Sequence, residues 1–277
     1  MNGIAAFHGK HVLITGAASG IGHATALELS RRGADLELVD IDARALETTC
    51  AAVRALGRTA FPHVVDVASA SAVERLAANV LLERGPIDLL VNNAGVAVAA
   101  PFATTSAADW EWIMGVNVWG PLRLTRAFLP AMIERGSGHV VMVASLAGLI
   151  GAPGMVAYST TKFAIVGFAE ALQLELASTG VGVTVVCPGF VRTNLARDTR
   201  YGNEGFRRFL SDPPSWYGMS KERVATALCN AVEAGDRSVV LGPEKIGWWL
   251  KRLAPDAAFA VTRWISRRYG IADAGES

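Results

Sequence analysis

Seven short runs rich in Val, Ile and Leu punctuate the chain: His11 to Thr15, Asp35 to Asp40, Thr59 to Val65, Ile87 to Asn92, His139 to Ser145, Val181 to Cys187 and Ser238 to Leu241. Each is continuous in apolar character rather than alternating, which is the pattern of strands covered on both faces of a parallel sheet. Parallel neighbours need long crossovers, and helical stretches lie between most of the runs. Between Ser69 and Arg84, Val73, Leu76, Ala77, Val80 and Leu81 repeat at i, i+3, i+4, i+7 and i+8, the spacing of one buried helix face. The alternation, sustained from residue 11 to residue 187, predicts a doubly wound α/β domain: about seven parallel strands, right-handed crossovers and helices on both faces.

Such a domain must hide much apolar surface. Of 277 residues, 51% are hydrophobic and only 18% charged, against about 25% charged in an ordinary soluble domain. A two-sided sheet, a subunit interface and a membrane are the available hiding places. Val140 to Thr161 has no formal charge, but Gly148, Gly151, Pro153 and Gly154 interrupt it and Ser145, Tyr158 and Ser159 are polar. It reads as strand, loop and helix start rather than as a bilayer span. Two helical stretches exceed what one sheet can cover: Phe163 to Ala169 is apolar all round, and Val116 to Ile133 carries only Arg123 and Arg126 as charges. They are expected to pack against their copies in a homodimer or homotetramer, or else under the chain's own C-terminal segment.

A net charge of +1 supplies no field for nucleic acid, so none is expected as a partner. Cys50, Cys187 and Cys229 have neither disulfide-framework nor zinc spacing and suit a reducing compartment; Cys187 reads as a small buried residue. His8, His11, His23, His63 and His139 form no ligand set with carboxylates or thiols, so no metal is expected. The first ten residues, MNGIAAFHGK, hold no signal-peptide apolar region, and the expected location is cytoplasmic.

The first run ends in Thr15-Gly16-Ala17-Ala18-Ser19-Gly20-Ile21-Gly22 and passes straight into a helix. Gly16 permits a tight bend, Gly20 lets backbone approach a pyrophosphate, and Gly22 allows close helix–strand packing. The amides of the helix N-terminus, from Ser19, Gly20 and Ile21 onward, then face the anion. Asp40 ends the second run 24 residues after Gly16, near the spacing at which an acid meets the adenosine ribose hydroxyls. A carboxylate there repels a 2′-phosphate, which favours NAD over NADP. Arg44 is the counterweight, since a nearby arginine can hold that phosphate, although at a helix start it is expected to face solvent.

Three further motifs follow in order: Asn92-Asn93-Ala94-Gly95, Tyr158-Ser159-Thr160-Thr161-Lys162 and Pro188-Gly189. Together with the glycine turn they make the chain similar to the short-chain dehydrogenases/reductases of ordinary length, over residues 10 to about 242. The resemblance implies a Rossmann-type sheet and NAD(H)-dependent hydride transfer on a CH–OH group. It implies that Asn92, Asn93, Ala94 and Gly95 stabilise the sheet beside adenosine and ribose, that Asp66 meets the adenine amino group with Val67 alongside, and that Pro188, Gly189, Val191 and Thr193 form the nicotinamide-side loop. It places the catalytic positions at Asn117, Ser145, Tyr158 and Lys162.

The residue chemistry agrees. Tyrosine, with an ordinary pKa near 10, is a sluggish base at neutral pH. Lys162 lies four residues on, on the same helix face. A cation about 4 Å away at an effective dielectric of about 20 is worth roughly 4 kcal/mol, or about three pKa units before desolvation opposes it. Ser145, at the carboxyl edge of its strand, can donate to a substrate oxygen as charge develops there. Pro121 lacks an N–H, so the Asn117 carbonyl is expected to lose its helical partner and to hold a water that links Lys162 to solvent. In the oxidising direction Tyr158 takes the alcohol proton, Ser145 positions the oxygen, and Lys162 grips the ribose and tunes Tyr158.

The substrate side is apolar: Val96 to Val98, Leu146 to Ile150 with Ala147 next to Ser145, then Phe190 and Leu195. With Ser145 and Tyr158 they suggest a lipophilic secondary alcohol or ketone. Residues 194 to 217 sit where the family keeps a substrate lid, with Arg197, Arg200, Arg207 and Arg208 either binding a substrate anion or facing solvent. Residues 1 to 242 are read as the catalytic domain and 243 to 277 as an extension. Within it, from Lys245 to Arg268, the cations Lys245, Lys251, Arg252, Arg263, Arg267 and Arg268 against Asp256 give +5, with Trp248, Trp249 and Trp264 among the apolar residues. It can close the pocket, pack on a subunit, lie on a membrane through residues 243 to 270, or hang free. Two alternatives to the dehydrogenase reading stay open: a non-catalytic dinucleotide-binding regulator on the same fold, and an NADPH-dependent ketoacyl-type reductase, which the absence of basic cofactor readers at Ala18, Ser19 and Asp40 disfavours.

Overall fold

The computed structural model of the chain describes every residue except 1, 2, 5, 197, 203–206, 208–217 and 269–277, and omits the side chains of 196 and 265–268. In chain order the elements are β1 (His11–Thr15), α1 (Gly20–Arg31), β2 (Asp35–Asp40), α2 (Ala43–Ala55), β3 (Ala60–Val64), α3 (Ala70–Arg84), β4 (Leu89–Asn92), β5 (Val98–Ala99), α4 (Ala107–Met114) and α5 (Gly120–Arg135). Then come β6 (Gly138–Val143), α6 (Val156–Glu175), β7 (Val181–Pro188), β8 (Arg200–Tyr201), α7 (Lys221–Ala234), β9 (Ser238–Leu241), α8 (Lys245–Leu253) and α9 (Pro255–Arg268).

Seven strands form one parallel sheet in the order β3-β2-β1-β4-β6-β7-β9, and β5 pairs with β8 in a separate two-stranded ladder. The order reverses between β1 and β4, which opens a crevice at the carboxyl ends of those strands. Continuous apolar runs are explained by two-sided burial. In β1, Val12 and Ile14 join the core that includes Leu29 of α1 and Leu228 of α7, while Leu13 joins the opposite core with Val73 of α3, Phe128 of α5 and Ile165 of α6.

The third run departs from this pattern. β3 is an edge strand: Pro62 and Val64 are exposed, and Phe61 and His63 are only half-buried. An edge needs no second ladder, so a proline without an N–H is tolerated there. The polar side chains beside it are anchored inward. His11 Nε2 lies 2.8 Å from Glu37 Oε1 and His63 Nε2 2.5 Å from Glu37 Oε2. Arg84 reaches the same carboxylate at 3.3 Å and stacks 3.7 Å above the Phe61 ring.

The apolar stretch from Val116 to Ile133 is not one regular helix. A π-helical turn spans Gly115–Trp119 between α4 and α5, closed by an i→i+5 bond from the Gly120 N–H to the Gly115 carbonyl. Pro121 follows in the first turn of α5 and has no N–H to donate to the preceding turn. Trp119 is 50% exposed on this segment, and Phe163 and Leu174 of α6 are 40% and 76% exposed. Part of the α6 surface is covered from within the chain, because the Lys251 ammonium of α8 sits 4.9 Å above the Phe163 ring and donates to the Leu149 carbonyl at 2.7 Å. No described helix is long and apolar enough to cross a membrane. All three cysteines are buried and free.

Candidate active site

The glycine turn lies at the switch point. Gly16 (φ +64°) and Gly20 (φ +55°) hold left-handed conformations that side chains rarely adopt. Gly22 is helical, but a Cβ on it would run into the Gly16 carbonyl oxygen and come within 2.6 Å of Asn93 Nδ2. The turn is pinned to β4. Thr15 Oγ1 accepts the Asn93 and Ala94 amides, both at 3.0 Å, and Asn93 Nδ2 donates to the Thr15 and Gly16 carbonyls at 2.9 and 3.2 Å. Thr15, which sequence reasoning passed over as the last residue of a strand, is thus the staple between the two motifs. Ser19 starts α1 without a side-chain cap, so its hydroxyl leaves the first-turn amides to a ligand. The cradle fits a pyrophosphate: its backbone comes closer than Cβ atoms allow, and amides point out of it.

Asp40 stands at the end of β2 beside this cradle. Its Oδ2 accepts the Ala18 amide at 2.9 Å, and Oδ1 accepts the amides of Ile41 and Asp42 at 2.7 and 3.1 Å. Arg44 is exposed, as expected. Asp66 is exposed and accepts the Ala68 amide at 2.9 Å, while Val67 is buried against Gly120. Across the crevice, Thr193 faces Gly20, with its Cβ and Cγ2 both 3.4 Å from where a Gly20 Cβ would lie.

The four expected catalytic residues come together on three elements. Asn117, on the π-helical turn, accepts the Val96 amide at 2.8 Å through Oδ1, and its Nδ2 donates to the Val96 carbonyl at 2.8 Å and to Thr161 Oγ1 at 3.1 Å. The wider turn aims this side chain at the loop after β4 and so joins α4–α5 to α6. Tyr158 and Lys162 are both buried on α6, and Lys162 Nζ donates to the Val143 carbonyl at 3.0 Å. Ser145 caps a 3₁₀ turn, accepting the Ala147 amide at 3.1 Å, and its side chain is near enough to Tyr158 to oppose the effect of burial on the phenol. One glycine makes this convergence possible. A Cβ on Gly148 would come within 2.5 Å of the Lys162 carbonyl, whereas one on Gly95 would make only ordinary contact with Lys162 Nζ at 3.5 Å. Gly148 carried no sequence signal, because the close approach joins segments that sequence order separates.

One electrostatic expectation is corrected. Burial raises the Tyr158 hydroxyl above its ordinary pKa, and the Ser145 side chain, which acts the other way, does not offset it. Lys162 does not supply the expected counter-effect, since its ammonium lies 5.7 Å from the centroid of the tyrosine ring and is spent on the Val143 carbonyl. Burial lowers Lys162 itself to about 8. It raises Cys187, next to Pro188, to about 12, so this thiol is inert and matches the small buried residue expected.

On the substrate side, Ala147 and Leu195 pack against the buried cluster of Ala97, Val98, Ile113 and Tyr158. Phe190 packs against Gly218. Pro188 closes β7, and the Gly189 amide donates to the Leu241 carbonyl at 2.8 Å. A Cβ on Gly189 would meet the carboxylate of Glu244, whose two oxygens are buried with no hydrogen-bond partner among the described residues. Val191 pairs with Met219 in an isolated bridge. Of the lid arginines, Arg200 is engaged: it bonds Asp109 at 2.7 Å and stacks 3.8 Å above Trp112. Arg197 and Arg208 lie outside the described residues. Among the described residues, no three His, Cys, Asp or Glu side chains gather as a metal site would require.

A parallel sheet with a glycine-built crevice at its switch point defines a Rossmann-type domain, the class that receives dinucleotides at that edge. The sequence profile of the family described as short chain dehydrogenase matches residues 10–204, and the chain belongs to that family of oxidoreductases. It is 35% identical over 262 residues to the probable oxidoreductase EphD of Mycobacterium tuberculosis, matching 91% of this chain but only 44% of that protein's length. It is 36% identical over 262 residues to estradiol 17-beta-dehydrogenase 11 of Macaca fascicularis, covering 92% of this chain and 82% of the relative. Among solved structures it is similar to a short-chain dehydrogenase/reductase from Burkholderia phymatum in complex with NAD, with 32% identity, a TM-score of 0.85 and coverage of 92% and 96% of the two chains. It is also similar to the alcohol dehydrogenase of the archaeon Thermococcus sibiricus complexed with 5-hydroxy-NADP, with 25% identity, a TM-score of 0.73 and coverage of 84% and 95%.

Proposed function

We propose that this chain is an NAD(H)-dependent dehydrogenase of lipophilic secondary alcohols and the corresponding ketones, with Tyr158 as the acid/base. The observation that carries the reading is the convergence of Ser145, Tyr158 and Lys162, the latter two buried, at the carboxyl edge of the sheet. A nicotinamide dinucleotide, when bound, supplies or accepts the hydride.

The chain's own residues do the rest. Gly16, Gly20 and Gly22 bring backbone amides against the diphosphate, and Thr193 closes over them. Asp40 presents a carboxylate where a 2′-phosphate would have to sit, which supports NAD; the relatives include complexes with both cofactors. Ser145 donates to the substrate oxygen and Tyr158 exchanges its proton with that oxygen. A tyrosine held above its ordinary pKa keeps its proton at neutral pH and is well placed to give it to a ketone. In the oxidising direction the same residue must first lose that proton. Asn117 fixes the loop after β4 against α6 and so holds Lys162 near the site. The apolar lining at Ala97, Ala147 and Leu195 favours a lipophilic substrate, in keeping with a relative named for estradiol.

Assembly belongs to the same reading: the exposed apolar residues of α5 and α6 support a homodimer or homotetramer. The test of function is NADH formation from a panel of secondary alcohols, repeated with NADP⁺. The reading predicts turnover of bulky apolar alcohols with a preference for NAD⁺. Turnover of none of them, or a clear preference for NADP⁺, contradicts it.

A further inference from the structure

The C-terminal helices leave large apolar side chains in solvent. On α8, Ile246, Trp249 and Leu253 fall at i, i+3 and i+7 and are 72%, 51% and 81% exposed; on α9, Phe259 and Trp264 are 70% and 65% exposed. This surface is held in place. The opposite side of α8 is fixed to the body of the protein through Lys251, which bonds the Leu149 carbonyl and covers Phe163, and through Gly247, where a Cβ would come within 3.3 Å of Ile150. The stripe is therefore presented outward by a packed helix, not by a loose end.

Its charge is equally distinctive. From Lys245 to Arg268 there are six Lys and Arg and one acid, a net +5, whereas the whole chain is +1, so the remainder carries 1 − 5 = −4. The cations flank the apolar stripe: Lys245 and Arg252 are exposed on α8 and Arg263 on α9. Arg252 sits 5.3 Å from the centroid of the Trp248 ring, which lies 4.8 Å from that of Trp249 at a 50° tilt.

We propose that α8 and α9 form a docking face for an anionic bilayer surface. The indoles and aliphatic side chains enter the boundary between headgroups and acyl chains, and Lys245, Arg252 and Arg263 meet lipid phosphates. Amphipathic helices with aromatic and aliphatic side chains between cations bind in this way. α8 has nine residues and α9 fourteen, too short to span, so the chain lies on the membrane. A second copy fits less well. A two-fold contact through this face would set +5 against +5.

The proposal is independent of the catalytic reading and is tested apart from it. Full-length protein is co-sedimented with phosphatidylcholine vesicles and with vesicles in which about a third of the lipid is phosphatidylglycerol, at low and high salt. Two variants are compared, Ile246→Ser/Trp249→Ser/Leu253→Ser and Lys245→Glu/Arg252→Glu, with circular dichroism to verify folding. The wild type is expected to sediment with the anionic vesicles only and to be released by salt, and each variant to bind at least about ten-fold more weakly. The charge variant changes only exposed residues and keeps the test valid if the triple variant misfolds. Absence of binding to anionic vesicles, equal binding to neutral ones, or binding unchanged in the folded variants overturns the proposal. So does a wild type that ignores vesicles but becomes monomeric in the triple variant, which assigns the face to subunit contact.

Discussion

Gly22 and Gly148 act by omission, since each leaves room for another backbone. At Gly22 the neighbour is the Gly16 carbonyl, which cannot move without unmaking the bend held by Thr15 and Asn93. Gly22→Ala should therefore cost about 1–3 kcal/mol in a urea melt, as overpacking does, and weaken dinucleotide binding. Gly151→Ala, where a Cβ meets nothing within 4 Å, should change neither. Equal effects of the two would remove the packing argument. At this scale the sequence was legible wherever chemistry lies in local spacing: the three glycines of the turn, and Tyr158 with Lys162 one helical turn apart. It was not legible where partners are distant, as with Gly148 on Lys162, or where two effects oppose, as at Tyr158, where burial outweighs the effect of Ser145.

Elements show the same division. Two-sided burial gives a strand a continuous apolar run, so the seven strands of the main sheet could be found; β9, at one edge, has no buried residue, and the third run, at the other, differs most in character. Its edge position depends on which strand stops the sheet, which is a property of topology. What ties this edge to its neighbours is Glu37 in β2. Burial alone would raise its carboxyl, but hydrogen bonds from His11 and His63 and the nearby charges of His63 and Arg84 outweigh that and hold it at about 2, against an ordinary 4.5. A carboxyl depressed in the folded state stabilises the fold above its unfolded pKa and loses that contribution as pH falls toward the folded value. The stability gap between wild type and Glu37→Gln should be on the order of 2 kcal/mol or more above pH 4.5 and should close as the pH approaches 2. Denaturant melts across that window check it, and a gap independent of pH contradicts it. The π-helical turn at Asn117 was half legible. Pro121 announced an irregular helix, but the side-chain bonds to Val96 and Thr161 that exploit it join residues 21 and 44 positions away.

For the whole molecule, the apolar excess divides among two sheet faces, the exposed residues of α5 and α6, and the stripe on α8. The second of these predicts assembly. Light scattering should give two or four times the 29.2 kDa chain mass, and Leu174→Glu should shift the protein toward monomer; a monomeric wild type contradicts the interface. Composition disclosed that surface had to be hidden but not where, because the fold-back of α8 onto Leu149 and Phe163 is a contact across about a hundred residues. The central claim, that Tyr158 exchanges the substrate proton, is tested most directly by Tyr158→Phe, with turnover of an accepted alcohol and binding of NADH measured on the same preparation. Loss of at least about a thousand-fold in turnover with cofactor affinity within a few-fold of wild type is the predicted result. Turnover retained within ten-fold of wild type would contradict it.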